Sequence, residues 1–68
     1  MEVNVDTLKE LRIDQGLSQR ALAHRAGLSQ TSVWKIERGG GANPATLKKL
    51  ADVLSVRPTD LLKGTANA

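Results

Sequence analysis

The sequence predicts an all-α fold, a compact bundle of five helices. Leucines and alanines recur at helical spacing behind residues that favour helix starts, and no segment alternates apolar and polar residues over the length of a strand. A chain of 68 residues has room for one small core. We therefore expect residues 1–68 to form a single domain, with an ordered core over about 6–63 and a flexible tail at 64–68.

The first helix is expected to run from about Asp6 or Thr7 to Gln15. Thr7 and Glu10 have the spacing of a capping box, in which each side chain accepts a hydrogen bond from a backbone amide of the first turn. Gly16 would end the helix because it can leave the helical conformation without strain.

The second and third helices are predicted from two serines that can cap free amides. The second starts at Ser18 and runs to about Ala26, and the third starts at Ser29 and ends near Arg38, where three glycines follow. Gly27 can adopt a positive φ, so it can turn the chain sharply between these two helices.

The fourth helix is signalled by Asn43 followed by Pro44, because proline at the first helical position loses only an amide that has no partner there. Its inward residues recur at helical spacing: Leu47, Leu50, Ala51 and Leu54. A short fifth helix is expected to open at Pro58 and to carry Leu61 and Leu62.

The composition disfavours several classes of protein. Cysteine is absent and His24 is the only histidine, so we expect no metal site, and a solvated helix face is the simplest place for His24. No nucleophile has a base placed to activate it, which argues against an enzyme, and no cofactor motif is found. No apolar run reaches membrane-spanning length and no signal peptide is recognisable, so we expect a cytoplasmic protein without a membrane partner.

The positive charge is concentrated in the middle of the chain. The formal net charge is +3, and six basic residues stand against one acidic residue between Ser18 and Lys49. Such a segment is typical of a surface that binds an anionic polymer, although a randomly charged solvated face would have the same composition.

The third helix presents a polar face. Val33 and Ile36 are three residues apart and predict its buried stripe. The residues on the opposite side or its flank are then Gln30, Thr31, Trp34, Lys35 and Arg38. Amide, ammonium and guanidinium groups can bind base edges in the major groove of DNA and phosphates beside it.

With these residues the chain resembles the helix-turn-helix of the phage-repressor and Cro family, also called the xenobiotic-response-element type. The residues that carry the resemblance are Gln19, Leu22, Ala23, Gly27, Leu28, Val33, Ile36, Glu37, Arg38 and Gly39. The resemblance implies a lambda-repressor-like bundle in which helices two and three form the helix-turn-helix. It also implies a cytoplasmic, nucleoid-associated transcriptional repressor that binds double-stranded operator DNA as a homodimer, at an inverted repeat, with the third helix in the major groove.

The resemblance assigns roles to individual positions. Gln30, Thr31 and Lys35 fall where the family reads bases, whereas Gln19, Arg38 and Asn43 fall where it binds the phosphate backbone. Arg20 lies at the start of the second helix and is either a further phosphate contact or a solvent-facing arginine. Arg12 and Glu37 match an ion pair that ties the first helix to the end of the third.

Three departures from the family pattern affect these expectations. The loop at residues 40–43 lacks basic residues, so backbone amides and Asn43 would have to bind phosphate there. Arg57 replaces the usual Ser or Thr cap of the fifth helix, which predicts a loose helix. Trp34 replaces a smaller or polar residue, and its indole either packs on a neighbouring helix or loop or contacts a DNA sugar or thymine methyl.

Two further hypotheses concern partners. Val56, Leu61 and Leu62 are the candidates for contact between two copies of the chain. The alternative to DNA binding is a protein-interaction module on the same fold, either an antitoxin that binds a toxin or a coactivator-type bridge.

Overall fold

The computed structural model describes residues 1–63, which contain four α-helices. Their bounds are α1 Val5–Asp14, α2 Gln19–Ala26, α3 Gln30–Lys35 and α4 Pro44–Leu54. Helix α2 packs against α3 and α4. The prediction of an all-α fold is therefore confirmed for the described residues, and the expected flexible tail at 64–68 lies outside them.

The predicted fifth helix is a single 3-10 turn, Pro58–Leu61. It is held at its start by Asp60, whose carboxylate accepts hydrogen bonds from the backbone N–H of Arg57 at 3.0 Å and from the Arg57 guanidinium at 3.3 Å. These bonds, the backbone one first, lower the pKa of Asp60. The sequence predicted a loose helix because Arg57 cannot cap it as Ser or Thr would. Asp60, three residues later, instead holds the start of the turn by accepting these hydrogen bonds.

Helix α1 begins earlier than predicted, at Val5. Asn4 caps it, because its side-chain oxygen accepts a hydrogen bond from the backbone N–H of Thr7 at 3.2 Å. The predicted start at Asp6 or Thr7, with a capping box to Glu10, is wrong. Asparagine is a stronger cap than threonine, and its position lets the helix start one or two residues earlier than predicted.

The other three helices start where the sequence predicts. In each, the cap side chain accepts a hydrogen bond from the amide three residues later: Ser18 from Ala21 at 3.0 Å, Ser29 from Ser32 at 3.1 Å, and Asn43 from Thr46 at 2.8 Å. Gly27 ends α2 with φ of 69° and turns the chain into α3, as expected.

Beyond Lys35 the chain continues into a π-type turn, Ile36–Gly40, in which Gly39 alone departs from helical dihedral angles. Helical backbone therefore runs to Arg38, where the sequence predicts the end of the third helix. Gly39 closes this turn with φ of 93°. A Cβ atom on Gly40 would lie 2.8 Å from the backbone oxygen of Lys35, so the turn brings two backbone segments too close for a side chain. The glycine run therefore does more than end the helix, since it lets the chain fold back tightly on the end of α3.

The N-terminal residues, which we expected to precede the ordered core, pack onto the bundle. Val3 is buried and forms an isolated antiparallel bridge with Leu62. The amide of Asn4 donates to the oxygen of Leu61 at 2.8 Å, and the amide of Ala42 donates to the oxygen of Met1 at 3.0 Å. This segment thus joins residues 61–62 to the loop that precedes α4.

The core contains the inward residues predicted for the third and fourth helices. Its fully buried large side chains are Leu8, Leu22, Val33, Leu47, Leu50, Leu54 and Leu61. Leu61 has no exposed surface, so the hypothesis that it contacts a second copy of the chain is wrong; Val56 and Leu62 are only half-buried. Among residues 1–63, no helix is both long and apolar enough to cross a membrane.

Candidate nucleic-acid interface

Helix α3 presents one polar face to solvent. Val33 and Ile36 are buried in the core, and the residues expected to read bases, Gln30, Thr31 and Lys35, are all exposed. Ser29 caps the first turn of the helix and also shares a hydrogen bond with the hydroxyl of Ser32 at 2.9 Å. The exposed face is therefore short, rigid at its start, and supplied with amide, hydroxyl and ammonium groups.

A groove lies on one side of this face, between α2 and the first turn of α3. It is lined by Arg20 and His24 from α2 and by Gln30 from α3. One expected phosphate-binding residue, Arg20, thus borders the same groove as one expected base-reading residue, Gln30.

A second groove lies on the other side of α3, next to the start of α4. Its lining includes Lys35 and Ser32 from α3, and Asn43 and Thr46 from α4. Because the oxygen of the Asn43 side chain already accepts from Thr46, its NH₂ group remains to donate to a phosphate.

Three helical segments are tied together beneath the face by a buried ion pair. Arg12 donates from Nε to Glu37 Oε2 at 2.7 Å and from Nη2 to Glu37 Oε1 at 3.1 Å, while its Nη1 donates to the oxygen of Leu17 at 2.8 Å. Gln19 also donates to Glu37 Oε1, at 3.1 Å. The network fixes α1 and the start of α2 against the π turn that follows α3.

This network determines what Gln19 can do. One of its two amide N–H groups donates to Glu37, and the second can still donate to an anion. Glu37 therefore orients Gln19 at the start of α2, where helix amides and the helix dipole favour negative charge.

Trp34 and Arg38 form a stacked pair at the outer end of the face. The Cζ atom of Arg38 lies 4.6 Å from the centroid of the Trp34 indole, and Trp34 remains 46% exposed. Sequence reasoning considered each residue separately and missed this contact. The signal was the i, i+4 spacing, which brings side chains together on a helix surface.

The cations of this region are available to a ligand. Within the described residues, Arg20, Lys35 and Arg38 form no ion pair, whereas Lys48 pairs with Asp52 on α4. Unpaired cations beside this helix, on it and just after its end make a positive surface there.

Comparison with known proteins agrees with this geometry. The chain matches the helix-turn-helix family HTH_3 over residues 8–61. It is 44% identical over 57 residues to the uncharacterized HTH-type transcriptional regulator RghRB of Bacillus subtilis (strain 168), a match that covers 81% of this chain and 41% of the relative. The chain thus spans about two fifths of the length of that relative.

Two solved structures have similar folds. The restriction-modification controller protein C.AhdI of Aeromonas hydrophila superposes with a TM-score of 0.79 at 37% identity, covering 85% of this chain and 89% of that protein. An HTH_3 family transcriptional regulator of Vibrio cholerae superposes with a TM-score of 0.71, also at 37% identity, covering 82% of this chain and 32% of that protein.

Proposed function

Because the chain belongs to the helix-turn-helix family HTH_3 of DNA-binding transcriptional regulators, we propose that it binds an operator in double-stranded DNA sequence-specifically through α3. The observation that carries this proposal is the exposed polar face of α3, with the unpaired cations Arg20 beside it, Lys35 on it and Arg38 just after its end. A six-residue helix of this kind fits the major groove.

Base reading falls to Gln30, Thr31 and Lys35. A glutamine amide can pair with the N6 and N7 atoms of adenine, and an ammonium group can donate to the acceptors of guanine. The hydroxyl of Thr31 can donate or accept, and its methyl group can contact thymine.

Phosphate binding falls to residues on both sides of α3, namely Gln19, Arg20, Arg38 and Asn43. Arg20 and Gln19 would bind the backbone at the start of α2, and Asn43 would bind it at the start of α4. Such contacts fix the orientation of the protein on the duplex but carry no sequence information.

The chain acts as a repressor on an inverted repeat in this proposal, as a dimer that occupies the operator. One short helix reads only a few base pairs, too few to select one site among many, so two half-sites about one helical turn apart are expected. Val56 and Leu62 are half-buried and lie next to the core, which makes them candidates for the self-contact. In gel shifts, binding to a lone half-site as tightly as to the full repeat would contradict the dimer.

Selection of bound duplexes from a random pool tests the proposal as a whole. We expect an inverted-repeat consensus and an affinity whose logarithm falls with the logarithm of salt concentration by about 0.9 for each phosphate contact. Recovery of no consensus, with binding that does not depend on salt, would refute it. Capture of a toxin-like protein together with that result would favour the interaction module instead.

A further inference from the structure

We infer that Trp34 is a positioning residue that holds the Arg38 guanidinium ready for a DNA phosphate. The inference deepens the proposed function and rests on it, since a phosphate must be the ligand. It arises from the stacked Trp34–Arg38 pair, with 4.6 Å between Arg38 Cζ and the ring centroid.

Arg38 has no competing partner in the described part of the chain. Its side chain forms no ion pair or hydrogen bond there, and its acidic neighbour Glu37 is buried with both oxygens engaged by Arg12 and Gln19. The ring contact is therefore what orders the guanidinium. A long, flexible arginine side chain loses considerable freedom when it binds, and a side chain that is already ordered loses less.

The ring contact leaves the N–H groups of Arg38 available. The guanidinium carbon lies over the Trp34 ring, and no N–H group of that side chain donates to a partner among residues 1–63. Guanidinium N–H groups can bind a phosphate in a bidentate fashion. The pair thus orders the cation without using its hydrogen bonds.

The location of Trp34 adds a second reason. Its side chain shares a surface depression with Gln30 and Thr31, two of the residues proposed to read bases. Trp34 therefore lies between these two residues and the Arg38 guanidinium.

The first test needs no DNA, since Trp34 is the only tryptophan and the chain has no tyrosine. Replacing Arg38 by Ala should change the fluorescence emission of Trp34 in the free protein. Lys9→Ala, which removes an exposed lysine on α1, serves as the charge-matched control and should leave the emission unchanged. Equal emission of the wild-type and Arg38→Ala proteins would show that the pair does not form and would overturn the inference, whatever the protein binds.

The second test measures binding of the 68-residue chain to a labelled mixed-sequence duplex of about 20 base pairs, long enough for two half-sites. Trp34→Leu should weaken binding by about two- to fivefold per protomer, the effect of a cation–π contact at an exposed site. The slope of log affinity against log salt concentration should also become shallower, by up to about one unit per protomer. This is expected although Trp34 is uncharged, because the substitution weakens the phosphate contact of Arg38. Trp34→Phe keeps an aromatic ring and should restore most of the affinity and slope.

A direct contact between Trp34 and DNA predicts a different pattern. The loss would then be the same in the wild-type and Arg38→Ala backgrounds, with an unchanged salt slope. In our inference, Trp34→Leu has no further effect once Arg38 is gone. Ile13→Ala, which shortens another exposed apolar side chain, controls for general surface effects. Failure of the wild-type protein to bind any duplex would refute the proposed function, whereas additive losses with an unchanged slope would refute the role of Trp34 alone.

Discussion

The buried pair of Arg12 and Glu37 should be worth more to the fold than any other ion pair among the described residues. The side chain of Glu37 is 1% exposed and that of Arg12 is 14% exposed. Replacing Arg12 by Met leaves a buried carboxylate with only the hydrogen bond from Gln19. Breaking a buried pair in this way costs about 3 to 5 kcal/mol of unfolding free energy.

The reverse substitution should cost less, which makes the prediction asymmetric. In Glu37→Met, the Arg12 guanidinium keeps its bond to the Leu17 carbonyl and can move toward solvent, since it is the more exposed partner. We expect a loss of about 1 to 3 kcal/mol, the cost of losing one partner of a hydrogen-bonded charge. The double variant leaves no unpaired charge. The stability it loses should therefore be about 2 kcal/mol less than the sum of the losses in the two single variants.

Urea unfolding followed by circular dichroism measures these differences. A domain of 68 residues has a total stability of about 3 to 10 kcal/mol, so Arg12→Met could be unfolded before urea is added. The four proteins are then compared in a stabilising osmolyte, which strengthens apolar burial in all of them.

The Lys48–Asp52 pair on α4 provides the control, because its side chains are 67% and 63% exposed at a similar separation of 3.1 Å. Its coupling should be only about 0.3 to 0.5 kcal/mol. Additive losses at Arg12 and Glu37, or a coupling no larger than that of the control pair, would show that burial does not make this pair important.

Three further predictions concern the bundle itself. Gly40→Ala places a Cβ atom 2.8 Å from a backbone oxygen and should lower the free energy of unfolding by about 1 to 3 kcal/mol, which thermal unfolding would show as a lower Tm. An unchanged Tm would show that the turn can open without cost. Leu50→Ala leaves a cavity at a fully buried site and should lower the free energy of unfolding, measured in urea, by about 2 to 5 kcal/mol. Ile13→Ala, at an exposed site, should lower it by less than about 0.5 kcal/mol. Because the pKa of Asp60 is lowered, its contribution to stability is complete at neutral pH and is lost as the pH falls from about 5 through that pKa. The Tm difference between the wild type and Asp60→Asn should therefore shrink on acidification, and a constant difference would contradict this.

Local signals in the sequence predicted most of the helix starts. Ser18, Ser29 and Asn43 each cap their helix through an amide only three residues away, so their role can be recognised from neighbouring residues. Asn4 was missed because a later threonine with a glutamate behind it offered a competing local pattern. The glycine run predicted a left-handed end near Arg38, which Gly39 supplies, but the close approach of backbone at Gly40 was missed because it does not depend on residue spacing.

Contacts between residues far apart in the chain could not be derived from periodicity. Helical phase predicted which residues of α3 face outward, because burial of Val33 and Ile36 fixes the rotation of the helix. It gave no indication that Val3 pairs with Leu62 or that Gln19 donates to Glu37. The Arg12–Glu37 pair was expected from the family resemblance and from Glu37 being the only acid in the basic segment, since spacing alone does not join two residues 25 positions apart.

The contrast between Lys35→Ala and Arg38→Ala on selected and unrelated duplexes tests most directly whether α3 reads DNA. Lys35 faces outward on the same side of the helix as Thr31. Lys35→Ala should therefore reduce the binding free energy on the preferred duplex by about 1 to 3 kcal/mol and relax base preference at one position per half-site. Binding to unrelated duplexes should change little. Arg38 lies beyond α3, so its loss should weaken all duplexes alike and reduce the salt slope by about one unit per site. Uniform weakening by Lys35→Ala together with altered base preference in Arg38→Ala would reverse the two roles, and unchanged affinity in both variants would contradict DNA reading by α3.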